Sequence, residues 1–284
     1  MKVYLAADME GISGVCHPEE LRPGGDDFAA ACGWYTTDVN AAVEGAVAAG
    51  AEEVWVADGH GWMRNIRIDG LHPAARLVRG PARTVNRPML QTEGIEREPF
   101  EALLLVGFHS RAGTPGGLLS HTWVGRLVHE IRLQGMPAGE MLLDAAIAGH
   151  YGIPAVLATG ADDACAEAEA DLPGIHTVCV KTALGPTACA SLTPAEGARR
   201  IREGAEKAVR DRASIKPWTT EGPVTIDVHF HHRAMAQRAL ETKDGVLGND
   251  DRHVRYEALD VPSTVRMVWR GLENALREDA AFLQ

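Results

Sequence analysis

The stretch Lys2-Val-Tyr-Leu-Ala-Ala-Asp8-Met-Glu10-Gly11 is an apolar run that ends in two carboxylates one residue apart. The run predicts a buried β-strand, and side chains two residues apart on a strand point to the same face. Asp8 and Glu10 should therefore project together where the chain leaves the sheet. Two such carboxylates repel each other unless a proton or a cation lies between them. The stretch thus indicates either a metal site or a solvated strand end.

Two further apolar runs end in metal-capable side chains. Residues 51–57 lead into Asp58-Gly-His60, and residues 101–107 lead into Phe108-His109. In open α/β sheets, ligands bind at the edge where the carboxyl ends of the strands meet. Three strands that deliver such side chains to one edge favour a metal site over unrelated surface residues. Close backbone approach at these turns would be allowed by the glycines at positions 59, 61 and 107.

His121 and Glu140 extend this set. His121 follows the Gly-rich loop 112–117, and Glu140 begins a predicted helix over Glu140–His150 with apolar positions suited to burial. An acid in the first turn of a helix is favoured by the helix dipole alone, so Glu140 also has a purely structural explanation. Beside the acids and imidazoles at the strand ends, it becomes a candidate fifth ligand.

The order and spacing of these motifs resemble one protein family, the DppA-type D-aminopeptidases, which are zinc peptidases named after the bacterial dipeptide-transport operon. The similarity extends from residue 1 to about residue 160, with a looser match to the end. It departs at the loop before His121, which has two glycines where the family pattern has one, and this puts substrate preference in question. The motifs are Asp8-Met-Glu10-Gly-Ile-Ser-Gly14, Asp58-Gly-His60, Gly107-Phe-His109-Ser-Arg111-Ala, Thr114-Pro-Gly116, Ser120-His121 and Gly139-Glu140.

The resemblance implies a site with two zinc ions and a catalytic residue at His121. It implies that Asp8 is the bridging carboxylate, and that the metal ligands are Asp8, Glu10, His60, His109 and Glu140. It also implies a preference for D-residues such as D-Ala, and a decamer of two stacked pentamers that encloses the active sites and admits only small peptides.

The chemistry of this set supports hydrolysis. Three carboxylates and two imidazoles, without a thiolate, suit Zn²⁺, with Mn²⁺ or Co²⁺ as substitutes. Five protein ligands exceed the three of one open catalytic zinc and suit two zincs roughly 3.5–4 Å apart, which lower the pKa of a water and polarise a carbonyl. His121, outside the ligand set, could stabilise an oxyanion, move a proton or act as a nucleophile.

Four weaker candidates lie next to these residues. Asp58 and Asn65 could orient a metal-binding imidazole by contacting its second nitrogen. Trp62 and Trp123 could line a substrate pocket, although packing explains them equally well. Further along the chain, His229 and His231 would share a strand face, which favours a polar strand end over a second metal site.

Alternating strands and helices predict an α/β fold with a mainly parallel sheet, helices on both faces and a smaller C-terminal α+β unit. We expect a catalytic metal-binding domain over residues 1–190 and a smaller domain over 191–284, packed tightly together. The predicted helices are 36–49, Asp162–Asp171, 191–212 and 261–278. The further predicted strands are 154–158, 178–180, Val224–Phe230 and His253–Ala258.

Composition narrows the function classes. The 284 residues are 45% hydrophobic and 24% charged, with a net charge of −11 and no basic cluster, which argues against nucleic-acid binding. No apolar run is long enough for a membrane span. Five scattered cysteines without a Cys-x-x-Cys motif indicate reduced thiols and a cytoplasmic protein.

The leading hypothesis is therefore a dinuclear zinc aminopeptidase acting on short peptides, active as a homo-oligomer. One alternative is another metal-dependent amidohydrolase, acting on an L-aminoacyl amide or a lactam. A second is a metal- or ligand-binding protein without catalysis, which would not need His121. A third, a dinuclear phosphoesterase, finds no evident phosphate clamp apart from Arg111 and Arg126.

Overall fold

The computed structural model describes residues 1–80 and 89–276. The strands are, in chain order, β1 (Lys2–Ala7), β2 (Glu53–Asp58), β3 (Ala75–Val78), β4 (Phe100–Phe108), β5 (Val128–Leu133), β6 (Met136–Pro137), β7 (Ala155–Ala161), β8 (His176–Gly185), β9 (Ala188–Ser191), β10 (Val224–Phe230), β11 (Gly245–Leu247) and β12 (His253–Ala258). The helices are α1 (Phe28–Ala48), α2 (Glu140–His150), α3 (Asp162–Asp171), α4 (Pro194–Asp211), α5 (Arg233–Leu240) and α6 (Val261–Leu276).

The main sheet has seven strands in the order β3-β2-β1-β4-β7-β8-β9. Its strands are parallel except at the edge, where β9 pairs with β8 in the antiparallel direction. Strand β1 lies between β2 and β4, and its last residue, Ala7, is in register with Asp58 on one side and Val106 on the other. The carboxyl ends of these three strands therefore meet at one edge.

Alternate residues of β1 supply two hydrophobic clusters, one on each face of the main sheet. Val3 and Leu5 pack into a cluster that includes residues of α1 and α4. Tyr4 and Ala6 pack into a second cluster, which includes residues of α2, α3, α5 and α6. The period of two in a strand produces this division. Helices on both faces confirm the predicted fold class.

A second sheet has the order β11-β12-β10-β5-β6, with antiparallel pairing throughout. Its buried residues belong to the same hydrophobic cluster as Tyr4 and the helix α2, so the smaller α+β unit and the main sheet share a core. In the described residues, no helix is both long enough and apolar enough to span a membrane.

The chain crosses between the two sheets more often than the sequence predicts. Strands β5 and β6, which precede residue 190, belong to the second sheet, and α4, which follows it, packs along α1. The division at residues 190 and 191 stays a prediction. Helix α1 begins at Phe28, eight residues before the predicted start. The last two residues of the predicted helix 261–278 lie outside the described residues.

Candidate metal centre

The strand ends bring the candidate ligands together. Asp8 follows β1, His60 lies two residues beyond β2, and His109 follows β4. Because β1 is the middle strand of the three, the two carboxylates of its continuation lie between the two imidazoles. The sequence predicts three converging strand ends, and the structure adds that Asp8 and Glu10 are central.

Glycines permit the close crossing of these strand ends. Gly107 has a φ of +78°, and a Cβ built there would lie 2.2 Å from the backbone oxygen of Asp8. A Cβ on Gly59 would lie 2.2 Å from Cγ of Gln91. Gly61 has a φ of +51°, but a Cβ added there would meet no atom within 4 Å. The predicted close approach therefore occurs at positions 59 and 107, and Gly61 serves only the turn.

The two oxygens of Asp8 face different imidazoles. Its Oδ1 lies 3.3 Å from Nδ1 of His60, which is also 3.1 Å from Oε2 of Glu10. Its Oδ2 lies 3.7 Å from Nε2 of His109. Ligands about 2.1 Å from one tetrahedral zinc are about 3.4 Å apart, so these separations match atoms that share an ion. A carboxylate with one oxygen on each side is the arrangement that a bridging ligand requires.

Glu140 closes the site on the side of His109. Its Oε1 lies 3.5 Å from Nε2 of His109 and 3.8 Å from Nε2 of His121. The backbone N–H of Trp123 donates to the same oxygen at 2.6 Å. Candidate ligand atoms form two groups, and within each group all the atoms lie within 4.8 Å of one another. One group consists of His109, His121 and Glu140, and the other of Asp8, Glu10 and His109. His121, expected outside the ligand set, thus lies close enough to join it.

Each imidazole uses its second nitrogen on a backbone carbonyl. Nε2 of His60 lies 2.8 Å from the oxygen of Leu21, Nδ1 of His109 lies 2.9 Å from that of Ser110, and Nδ1 of His121 lies 2.9 Å from that of Leu119. A carbonyl only accepts, so the ring nitrogen that faces it carries the proton. The other nitrogen of each ring faces the carboxylates, where a metal ion could take the place of a second proton, as in metal-binding histidines.

Asp58 and Asn65 support the turn rather than an imidazole ring. The Asp58 carboxylate accepts hydrogen bonds from the backbone N–H and the side-chain amide of Asn65 and from the N–H of Ile66. The Asn65 amide also donates to the backbone oxygen of His60 at 2.7 Å. The sequence predicts that these two side chains orient an imidazole. In the structure the backbone carbonyl of Leu21 contacts the His60 ring instead, and the Asp58 carboxylate binds the turn over Asn65 and Ile66.

The charges of the centre indicate that a cation belongs there. Asp8, Glu10 and Glu140 are at most 4% exposed. Burial, reinforced by the charge of Glu10, raises the pKa of Asp8 well above its usual range. Burial alone would lower the pKa of His109, but Glu140 outweighs it and raises that pKa to about 10. Among the described residues, Nε2 of His109 is a buried atom without a hydrogen-bond partner. A metal ion would satisfy this nitrogen and neutralise the carboxylates.

Comparison with known proteins identifies the family of this chain. The model of the peptidase family M55, described as D-aminopeptidase, matches residues 1–270. The chain belongs to the D-aminopeptidase family. A D-aminopeptidase of Bacillus subtilis (strain 168) is 29% identical over 277 residues, which cover 98% of each chain. This confirms the resemblance seen in the sequence and the predicted enzyme class, an aminopeptidase.

A solved structure of a D-aminopeptidase has the same fold as this chain. It is the Zn-dependent D-aminopeptidase DppA from Bacillus subtilis, a self-compartmentalizing protease, and it aligns with a TM-score of 0.92 at 29% identity. The alignment covers 98% of this chain and 99% of that one. The agreement over nearly the whole length includes the second sheet as well as the main one.

Two residues of the D-aminopeptidase site were missed at the sequence level. Gln91, 3% exposed, donates from Nε2 to Oε2 of Glu140. Lys181, 2% exposed, donates from Nζ to the backbone oxygens of Glu10, Ile12 and Val15. A lysine inside the apolar strand run 178–181 is a usable signal, because a buried ammonium needs partners. Gln91 lies in a short 3-10 helix over Leu90–Thr92 and carries no such signal.

His121 stacks on His109, with ring centroids 3.9 Å apart and planes 12° apart. Burial and the neighbouring His109 lower the pKa of His121. With Nδ1–H donated to Leu119, its Nε2 keeps a lone pair that points towards Glu140. That nitrogen can accept a proton or bind a metal ion.

The histidines of the second sheet have structural partners. His253, 2% exposed, pairs through Nε2 with Oδ1 of Asp227 at 2.6 Å, and the same carboxylate binds Arg255. His229 stacks on His253, with ring centroids 4.3 Å apart. These contacts agree with a polar strand face at His229 rather than a metal site.

Proposed function

We propose that this protein is a zinc-dependent aminopeptidase that removes the N-terminal residue, a D-amino acid such as D-alanine, from short peptides and amino-acid amides. Its family and its zinc-dependent structural relative support this function. The buried carboxylates and imidazoles at the carboxyl ends of β1, β2 and β4 supply the oxygen and nitrogen ligands that a hydrolytic zinc site uses.

The placement of Asp8 is the observation that carries this proposal. Its Oδ1 faces His60 and its Oδ2 faces His109, and a further carboxylate stands beside each imidazole. We assign Asp8 as the bridging ligand of two zinc ions. The proposed ligands of the pair are Asp8, Glu10, His60, His109 and Glu140.

Zinc at this centre would lower the pKa of a bound water and polarise the carbonyl of the scissile bond. One of the zinc ions could also hold the free α-amine of the substrate, which would favour removal of the first residue. We assign proton transfer to Nε2 of His121, whose ring is held by the bond from Nδ1–H to the Leu119 oxygen. From that position Nε2 can hold a proton and deliver it to the leaving amine.

We propose further that the protein works as a homo-oligomer, and that the oligomer is a decamer. The support is its likeness, over nearly its whole length, to a self-compartmentalizing protease. An enclosed set of active sites would limit access to small peptides. A cytoplasmic location stays a prediction from the five cysteines, all of which are free thiols in the structure.

Release of p-nitroaniline from D-Ala and L-Ala p-nitroanilides tests the function. Metal-free protein is compared with protein that has received zinc, and bound zinc is counted per chain. We expect zinc-dependent cleavage that favours the D-isomer, with two zincs bound. Preference for the L-isomer would refute the D-specific assignment, and two bound zincs without turnover of either isomer would refute the aminopeptidase assignment.

His121→Ala separates the catalytic role from the ligand role. Loss of turnover with two zincs still bound would support proton transfer by this residue. Loss of one zinc would instead make His121 a ligand. Asp8→Asn is the matched control for the bridge, because it removes the carboxylate charge that both metal positions need.

A further inference from the structure

The candidate centre opens on two sides, which differ in size and in lining. A cavity of about 810 Å³ lies on one side, and a groove of about 410 Å³ lies on the other. Glu10 and His121 line both. The bond to be cleaved must lie at the centre, so the two parts of a substrate occupy the two spaces.

Short side chains and glycines form one wall of the smaller groove, whose lining also includes Leu21 and Leu119. Thr114, Gly116, Gly117 and Ser120 form one wall, in the loop that joins β4 to β5. A small N-terminal residue such as alanine needs no more room than this groove provides. The groove therefore suits the residue that the proposed function removes.

Three tryptophans line the larger cavity. Trp62 comes from the turn after β2, Trp123 from the segment before β5, and Trp269 from α6 of the second unit. Trp123 and Trp269 meet edge to face, with ring centroids 6.3 Å apart and planes 86° apart. At about 810 Å³ the cavity has about twice the volume of the groove, at about 410 Å³, so it has room for the bulkier part of a substrate.

We infer that the larger cavity binds the residue that follows the scissile bond, and that it selects a bulky apolar or aromatic side chain at that position. The inference rests on the proposed function, because a small N-terminal residue fits the groove and the leaving part of the peptide then extends into the cavity. Aromatic walls bury an aromatic side chain favourably and add edge-to-face contacts. The substrate class is then a short peptide with a small first residue and an aromatic second residue.

Trp269→Ala tests the inference, because this residue lines the cavity from α6 and is not one of the candidate ligands. The quantity to compare is the ratio of kcat/KM for D-Ala-D-Phe to kcat/KM for D-Ala-Gly, with D-alaninamide as a substrate that lacks a second residue. We expect the wild type to favour D-Ala-D-Phe and Trp269→Ala to lower the ratio by about tenfold or more, since small apolar changes shift discrimination by roughly 10–200-fold. Trp269→Phe should keep most of the ratio.

Trp218→Ala is the matched control. Trp218 packs on the same hydrophobic cluster as Trp269 but does not line the cavity, so its loss should leave the ratio unchanged. An unchanged ratio in Trp269→Ala would overturn the inference. Trp269→Ala could instead leave that ratio unchanged and alter the preference between D-Phe-amide and D-Ala-amide. This result would show that the cavity holds the first residue, and it would also overturn the inference.

A binding measurement keeps this test independent of turnover. The holoenzyme is titrated in a calorimeter with D-Ala-D-Phe and D-Ala-Gly analogues whose scissile amide is replaced by a methyleneamine. Tighter binding of the aromatic analogue by about tenfold, lost in Trp269→Ala, supports the inference, and equal or undetectable binding of both overturns it. Failure to hydrolyse D-alaninamide would refute the proposed function alone, and the analogue affinities would still decide the role of the cavity.

Discussion

Replacement of Lys181 by methionine should loosen the segment that carries Glu10. Lys181 is on β8, and its Nζ donates to the backbone oxygens of Ile12 and Val15 at 2.9 and 2.6 Å as well as to that of Glu10. Three donors thus meet three acceptors, and the buried ammonium fixes the backbone that follows β1. Methionine fills a similar volume but cannot donate.

The size of the effect follows from two opposed terms. Each buried carbonyl that loses its donor costs about 1–3 kcal/mol, so three of them cost about 3–9 kcal/mol. Burial lowers the pKa of Lys181 from 10.5 to about 8, which corresponds to a penalty of about 3 kcal/mol on the ammonium that methionine avoids. The difference spans about 0–6 kcal/mol, and we expect a net loss near its centre, about 3 kcal/mol, in the free energy of unfolding. Displacement of Glu10 should also weaken zinc binding by about 10–100-fold.

Two assays measure these effects. Urea unfolding of the metal-free protein gives the loss in stability, and competition with a chelator of known affinity gives the zinc dissociation constant. Lys207→Met is the matched control, because Lys207 is exposed and pairs with Asp211 at 2.5 Å on the surface of α4, where such pairs contribute about 0–1 kcal/mol. Lys181→Met protein with wild-type stability and wild-type zinc affinity would refute the reasoning.

Three more predictions concern Gln91, Gly107 and Asp38. Gln91→Leu removes the donor to Glu140 and should weaken zinc binding about 10–100-fold by the same competition assay; unchanged affinity would show that the donor does not orient the ligand. Gly107→Ala should abolish folding or zinc binding, because its Cβ would lie 2.2 Å from a backbone oxygen; circular dichroism and zinc content measure this. Gly152→Ala is the control. Gly152 has a φ of +76° and a Cβ there would meet no atom within 4 Å, so this change should lower the free energy of unfolding by only about 1 kcal/mol. Burial raises the pKa of Asp38 from 3.8 to about 6, so its contribution to stability is complete below pH 3.8 and is lost as pH rises through 6, a loss of about 3 kcal/mol. Asp38→Asn should remove that fall from urea unfolding curves between pH 4 and pH 7, and an identical fall in both proteins would contradict the assignment.

Local sequence patterns predict many of the helices and strands and the types of ligand atom at the candidate metal centre. Helices over Glu140–His150 and Asp162–Asp171 and the strand Val224–Phe230 have the predicted bounds. Local patterns suffice for these elements, because the periods of 3.6 and 2 and the turn residues act within a few positions of the chain. Asp8 at the end of an apolar run is part of the same local signal.

The way in which these elements come together depends on contacts between distant parts of the chain. The central place of β1 between β2 and β4, and the pairing of β5 with β10, join segments far apart in sequence, so no local pattern specifies them. The imidazoles are oriented by the carbonyls of Leu21, Ser110 and Leu119. Every residue carries a backbone carbonyl. Packing therefore decides which three carbonyls contact the imidazoles, and the sequence alone does not predict them.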